Sequence, residues 1–515
     1  MKKTLFIVID ALATRIVEPA LAAGRLPNFA ALAQAGLFRR ECLAVFPSIT
    51  PAATCSLATG CYPRESGIAG AYWYDAARDD VAYFGADIWP ILNEGVGKYL
   101  KDFQIELNLN RLQAPTIFEH IEQHGRLRDA VINLLWFRGS VDHHVDLPLL
   151  FKLAPTEPAL TMRGPHLMFM GDFVNTELDR GGTRIAARGG MTRRFGFHDE
   201  ATADYLLGLV EVGELPDFTL AYFPNNDFES HSVGPQAALP VLEAIDLHLG
   251  RLFEMHGGLG KTLEEMAIVI TGDHSQSEVA GKAEQNVDLT ELLSDFQVVR
   301  AGANWDGEDD VMACPNMRAA QIYLRDETSQ KRQPIIERLL KAPHVDQVLW
   351  CNEEDGINGS YDAIFYVATA DRGRLAFQPA TDRDAIGRDQ FGGFWKWEGD
   401  LAALGASCDS DGNLTFVDYP NAFERVAGSF FRKSANIWTT TRLGAEFCLP
   451  ETNTYDGGSH GSLHALDSTS PLFAAGFDAN VEIPTTMRSV DLMPLCMTNL
   501  GLEPPRKMGQ SHVTR

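Results

Sequence analysis

Three short apolar runs each lead into an aspartate. LFIVI at 5–9 stops at Asp10, FTLAYF at 218–223 precedes Asp227, and AIVIT at 267–271 is followed by Gly272 and Asp273. Runs this short, β-branched and apolar at nearly every position rather than alternate ones, read as strands buried on both faces. Such strands belong to parallel sheets covered by helices on both sides, and open sheets of that kind carry their sites at the carboxyl ends of the strands. Helical segments lie between them: PNFAALAQAG at 27–36, TIFEHIEQHG at 116–125 ahead of another buried strand, and ALPVLEAIDLHLGRLFEM at 238–255. The expected fold is therefore α/β, with a mostly parallel central sheet and helices on both faces.

From about 297 to 450 the pattern changes. IERLLKAPHVDQVLW still reads as helix then strand, but DAIFYVATADRGRLAFQPA reads as a β-hairpin turning at Asp371-Arg372-Gly373. Residues 379–430, rich in Gly, Asp and aromatics, have no clear period. We expect an inserted α+β cap subdomain over 297–450, dividing a catalytic core into 1–296 and 451–515. The chain rejoins the core at SPLFAAG.

A net charge of −25 excludes a nucleic-acid polymer or an anionic membrane as main partner, since both need basic surface. A small anionic substrate remains compatible where bound cations dominate the local field. The eight cysteines form no CxxC pair and no framework, and read as thiols of a reducing compartment. MKKTLFIVIDALA imitates a secretory leader, but its apolar run is broken at Asp10, shorter than the usual ~7–15 residues. No run of about 18 apolar residues could span a bilayer. The expected location is cytoplasmic.

The polar residues at the ends of these stretches form a ligand set: Asp10, Thr50, Asp227, His231, Asp273, His274 and His460. Carboxylates, imidazoles and one hydroxyl suit borderline divalent ions, zinc above all, with manganese as the alternative. Asp227 and His231 are four residues apart, so one helical turn can bring both to one ion. Asp273 and His274, adjacent at a strand exit, splay to two points. His460 sits between Ser459 and Gly461, where small neighbours allow close backbone approach, and His464 is its rival. Thr50 before Pro51 has the form of a helix N-cap. It is either a cap alone or a nucleophile beside N–H groups that favour phosphate. His143-His144 lacks the strand-end pattern and reads as packing or surface, and Asp246 as structural support.

In this order, the stretches resemble the type I phosphodiesterase/nucleotide pyrophosphatase branch of the alkaline phosphatase superfamily. The likeness spans residues 1 to about 290 and about 450 to the end, and includes ITPAATCSLATGCYPRESGI around Thr50 and the closing RSVDLMPLCMTNLGLEPP. It implies two divalent ions, one held by Asp10, Thr50, Asp273 and His274, the other by Asp227, His231 and His460. It also implies hydrolysis of a small phosphate ester through a phosphothreonine on Thr50. Relatives that cleave nucleotides usually carry Phe directly after the nucleophile, as one wall of a base-stacking slot, and Asn two positions further on. Here Pro51 and Ala53 stand instead. Tyr222 matches the other wall, and Trp73, beside Tyr72 and Tyr74, could offer a different one or simply pack in the core. A phosphodiester or pyrophosphate substrate with weak base selection is expected. The alternatives are a phosphonate hydrolase, a phosphomonoesterase, or a noncatalytic metal-binding protein. A phosphomutase of the same superfamily would carry Ser at the nucleophile.

Overall fold

The computed structural model describes residues 2–83, 100–146, 161–179, 182–280, 285–326, 329–352 and 363–512. Its central sheet has nine strands: β1 (Lys3–Ile9), β2 (Leu37–Leu43), β3 (Asp129–Ile132), β4 (Leu167–Met170), β5 (Val174–Asn175), β6 (Phe218–Phe223), β7 (Met266–Thr271), β8 (Thr469–Ala475) and β9 (Met487–Arg488). Their order is β9-β2-β8-β7-β1-β6-β3-β4-β5. The run from β7 to β4 is parallel throughout, while β8 lies antiparallel to both β7 and β2.

The three apolar runs form β1, β6 and β7, which are adjacent. Their side chains divide by strand parity. Leu5, Ile7 and Ile9 enter one core cluster with Ile268, Ile270 and Ala221, whereas Phe6 and Val8 enter the opposite one with Val269 and Leu220. Both faces are buried, which is why no polar alternation is visible in these runs. Each fully buried side chain of this kind contributes about 1.5–3 kcal/mol. Register aligns Ile9 with Phe223 and Val8 with Thr271, so the three strands stop nearly level and release their acidic followers at one edge.

Helices cover both faces. We label α1 (Pro27–Ala35), α2 (Thr50–Thr59), α3 (Asn225–Val233), α4 (Leu239–Met255) and α5 (Leu492–Asn499). Asp246 on α4 accepts hydrogen bonds from the N–H groups of Asn28 and Phe29 at 2.9 Å each. It therefore caps the neighbouring α1, satisfying donors that α1 leaves open at its start. Among the described residues, no helix is long and apolar enough to cross a membrane, and all eight cysteines are free.

A second sheet lies within the segment where the sequence pattern changes. Eight antiparallel strands run from Val311–Asn316 to Ile437–Thr441, around a core that includes Met312, Val348, Phe377, Trp395 and Trp438. The Phe365–Ala368 and Arg374–Pro379 strands pair as a hairpin, with Gly373 at φ 90° in the turn. The aperiodic 379–430 stretch supplies the Phe394–Gly399 strand, three shorter strands and the helix Ala422–Ala427.

Candidate metal centre

Asp10 follows β1 directly, and Asp273 and His274 follow β7 by one glycine. Asp227 and His231 stand one turn apart on α3, which begins just after β6. His460 follows the two-residue strand Gly458–Ser459, which pairs with Ser277–Glu278 beyond His274. Gly461 has φ +116°, and a Cβ there would meet the Asn316 carbonyl oxygen at 2.5 Å. Glycine is thus required where the chain turns past the site.

Thr50 differs from its expected position. It is the first residue of α2, and Ile49, in an extended conformation, is the N-cap. Pro51, whose fixed φ and missing N–H suit any position of the first turn, allows this start, and the extended backbone at Ile49 sets it one residue earlier than the Thr-Pro pair suggests. Thr50 makes no capping bond. Its Oγ1 lies 3.1 Å from His274 Nε2 instead.

The other ligand atoms converge on the same place. His274 Nε2 is 3.5 Å from Asp10 Oδ1 and 3.5 Å from Asp273 Oδ2. Asp227 reaches His231 Nε2 at 3.1 Å through Oδ2 and His460 Nε2 at 3.5 Å through Oδ1. The His274 and His460 rings stack with centroids 3.8 Å apart. Among the described residues, two groups have the compactness of a metal site, Asp10-Asp273-His274 and Asp227-His274-His460, with ligand atoms within 4.8 Å of one another.

All three imidazoles are oriented in one way. His231 Nδ1 lies 2.8 Å from the Gly458 carbonyl, His274 Nδ1 3.0 Å from that of Ser275, and His460 Nδ1 2.8 Å from that of Ser48. A carbonyl only accepts, so each Nδ1 carries a proton, and in the neutral ring each Nε2 is left to present a lone pair inward. Backbone carbonyls hold metal-bound histidines in this manner. Among the described residues, Asp10 Oδ1, Asp273 Oδ2 and His460 Nε2 are buried with no hydrogen-bond partner, acceptors that a cation would satisfy.

The electrostatics agree with a cation's place. Burial, then the charges of Asp273 and Asp227, hold the Asp10 carboxyl well above its ordinary range. Burial also raises Asp273, against the pull of His274. Burial acts against Asp227 as well, but His231, His460 and His274 bring it below the usual value. His460 is pushed well below an ordinary imidazole by burial and by His274. Positive charge at the centre of the group stabilises the carboxylates as anions and the imidazoles as neutral ligands.

Supporting residues came from outside the expected set. Gln276 Nε2 donates to Asp227 Oδ1, and the Tyr455 ring stacks on His231 at 3.8 Å. Gln276 follows the Asp273-His274 pair closely enough to be suspected, whereas nothing local marks Tyr455. Arg318 donates its backbone N–H to the His460 carbonyl at 2.9 Å, and its guanidinium pairs with Asp467 at 2.5 Å with both side chains buried. Asp467 also accepts from Ser462 N and Ser277 Oγ, fixing the turn after His460. Asp467→Ala strands the Arg318 charge in the interior and should cost about 3–5 kcal/mol, read as a lowered urea midpoint. An unchanged midpoint would refute this role.

Of the other candidates, Tyr222 reaches the centre and the rest fall elsewhere. His464 accepts from Leu466 N as a helix cap. His143 is held by the Pro165 carbonyl and the Thr176 hydroxyl. The Tyr222 hydroxyl donates to Asp10 Oδ2, with its ring half-buried. Trp73 is 2 % exposed, in a core cluster with Ile68, Ala69 and Leu112.

The family model for type I phosphodiesterase/nucleotide pyrophosphatase matches residues 4–367. Among solved structures, human ectonucleotide pyrophosphatase/phosphodiesterase 5 superposes with a TM-score of 0.57 at 14% identity, covering 98% of this chain and 96% of that one. At this identity the likeness speaks for a shared alkaline phosphatase-like fold. No curated protein matches the sequence. The matched span takes in more than half of the chain and every proposed ligand except His460. The chain therefore belongs to the type I phosphodiesterase/nucleotide pyrophosphatase family and is a metal-dependent hydrolase of that class.

Proposed function

We propose that this enzyme cleaves small phosphodiesters or pyrophosphate-type diesters by double displacement through Thr50. The observation that carries this reading is the Thr50 hydroxyl: it begins a helix, caps nothing, and faces the ligand cluster at 3.1 Å from His274 Nε2. Asp10, Asp273, His274 and Thr50 would hold one divalent ion, and Asp227, His231 and His460 a second. Zinc is the favoured metal for this donor set, with manganese as the alternative. The ions would supply the charge that lowers the hydroxyl pKa and neutralises the phosphoryl oxygens.

In the first displacement Thr50 Oγ1 bonds to phosphorus, its proton leaves to water, and the bond from phosphorus to the departing oxygen breaks. Water then attacks the phosphothreonine and frees the hydroxyl. The first α2 residues bring open N–H groups and the positive end of the helix dipole to the phosphoryl group. Tyr222 and Gln276 orient Asp10 and Asp227 through their hydrogen bonds. The free thiols favour a reducing compartment, and we infer a cytoplasmic location.

Substrate range follows from Pro51 and Ala53. Tyr222 would be the single aromatic wall, Trp73 being buried. Stacking on one aromatic is worth about 1–3 kcal/mol, so a missing wall costs roughly tenfold or more in affinity. Nucleotide diesters should be cleaved with little regard to base, and simple aryl diesters comparably. Comparing kcat/KM across purine, pyrimidine and base-free diesters, alongside monoesters and phosphonates, tests this. A hundredfold preference for one base, or for monoesters or phosphonates, would overturn it.

A further inference from the structure

Arg194 leans on the helix that carries two of the ligands. Its Cζ lies 3.8 Å from the Phe228 ring centroid, and its Nη2 donates to Asn225 Oδ1. Asn225 and Phe228 flank Asp227, and their spacing of three puts them on one side of α3. Both Arg194 and the next residue, Phe195, are left-handed, with φ of 48° and 53°. Residues with a Cβ adopt this conformation only where the surroundings impose it, and it recurs at ligand sites.

The guanidinium also has no ion-pair partner. Its neighbours pair with carboxylates, Arg188 with Asp204 and Arg193 with Glu200. Among the described residues, no carboxylate lies within ion-pairing distance of Arg194. The carboxylates whose field it feels are Asp199 first, then Asp10 and Asp227 of the metal centre. Asp199, close by, accepts from the Asn225 backbone N–H at 2.9 Å and makes no ion pair with Arg194. Arg194 is half-buried, and among the described residues its guanidinium makes a hydrogen bond through Nη2 alone. In an otherwise acidic protein, a cation held this firmly and left unpaired is a site for an anion supplied from outside.

We infer that Arg194 is a substrate-recognition residue, binding an anionic group that the substrate carries beyond the scissile phosphorus, as the second phosphoryl group of a pyrophosphate does. The inference rests on the hydrolytic reading of the metal centre. Asp10, Asp227 and Asp273 offset most of the charge of two divalent ions, which serve the scissile group itself. The added guanidinium therefore tips the local balance toward substrates with one more negative charge.

The test compares symmetrical diphenyl pyrophosphate with bis-para-nitrophenyl phosphate, using metal-replete full-length protein. Arg194→Gln should lower kcat/KM for the pyrophosphate at least about tenfold more than for the diester, because a lost charge-assisted hydrogen bond falls on one substrate only. Arg194→Lys keeps the charge without the fork and should give an intermediate ratio; it decides the matter if the Gln variant does not fold. Equal losses on both substrates in a folded variant would overturn the assignment. A wild-type protein that cleaves neither substrate would refute the hydrolytic reading itself, and that failure shows before any substitution is made.

Discussion

Thr50→Ala should fold normally and lose turnover by about a thousandfold or more, the scale on which enzymes lose an activated nucleophile. The fold should survive because the hydroxyl contributes no cap and alanine is the better helix former. Thr50→Ser keeps an oxygen at the same place and should retain measurable activity. Stereochemistry gives the independent check. Two in-line displacements return a chiral phosphorus to its original configuration, so hydrolysis in labelled water should proceed with net retention. Inversion would mean direct attack by water, and Thr50 would then be a metal ligand or a structural residue only.

Purified protein should contain two divalent ions per chain, and a strong chelator should abolish activity while lowering Tm. The motive is the cluster of buried acceptors at the centre, Asp10 Oδ1, Asp273 Oδ2 and His460 Nε2, which have no hydrogen-bond partner among the described residues. An ion that binds the folded form alone stabilises it by about 2.7 kcal/mol at a concentration a hundred times its Kd. Asp273→Ala and His231→Ala should each reduce metal content together with activity. Elemental analysis showing one ion or fewer after metal-replete purification would contradict a two-metal centre. Full metal content with no turnover of any ester would instead favour a noncatalytic role.

The parts of the fold legible in the sequence were those in which local chemistry and tertiary placement coincide. β1, β6 and β7 are buried on both faces, so their apolar runs needed no tertiary information to be read as strands. Helices α1 and α4 carry ordinary periodicity, and the Phe365–Ala368 hairpin is marked by its turn residues. The Phe394–Gly399 strand and its short neighbours were not legible. Their stretch alternates poorly, because Trp395 is buried by packing against Phe377 and Phe423 rather than by a regular face. Thr50 shows the limit at single-residue scale: the Thr-Pro pair announced a helix start, but its exact position depends on the backbone ahead of it.

The site divides in the same way. By itself the sequence determined which residue types could bind metal, because acidic and imidazole groups stand just past strands or one helical turn apart. It also determined a shared sheet edge, since parallel strands deliver the residues after them to the same side. The tertiary structure alone decided how those groups are held. The carbonyls of Ser48 and Gly458 fix the protons of His460 and His231 from 412 and 227 residues away. Arg318 reaches Asp467 across 149 residues to brace the His460 turn. Arg194 meets α3 through a left-handed loop without a local sequence pattern. Hydrogen-bond direction and charge pairing are properties of atoms brought together through space, and no spacing along the chain encodes them.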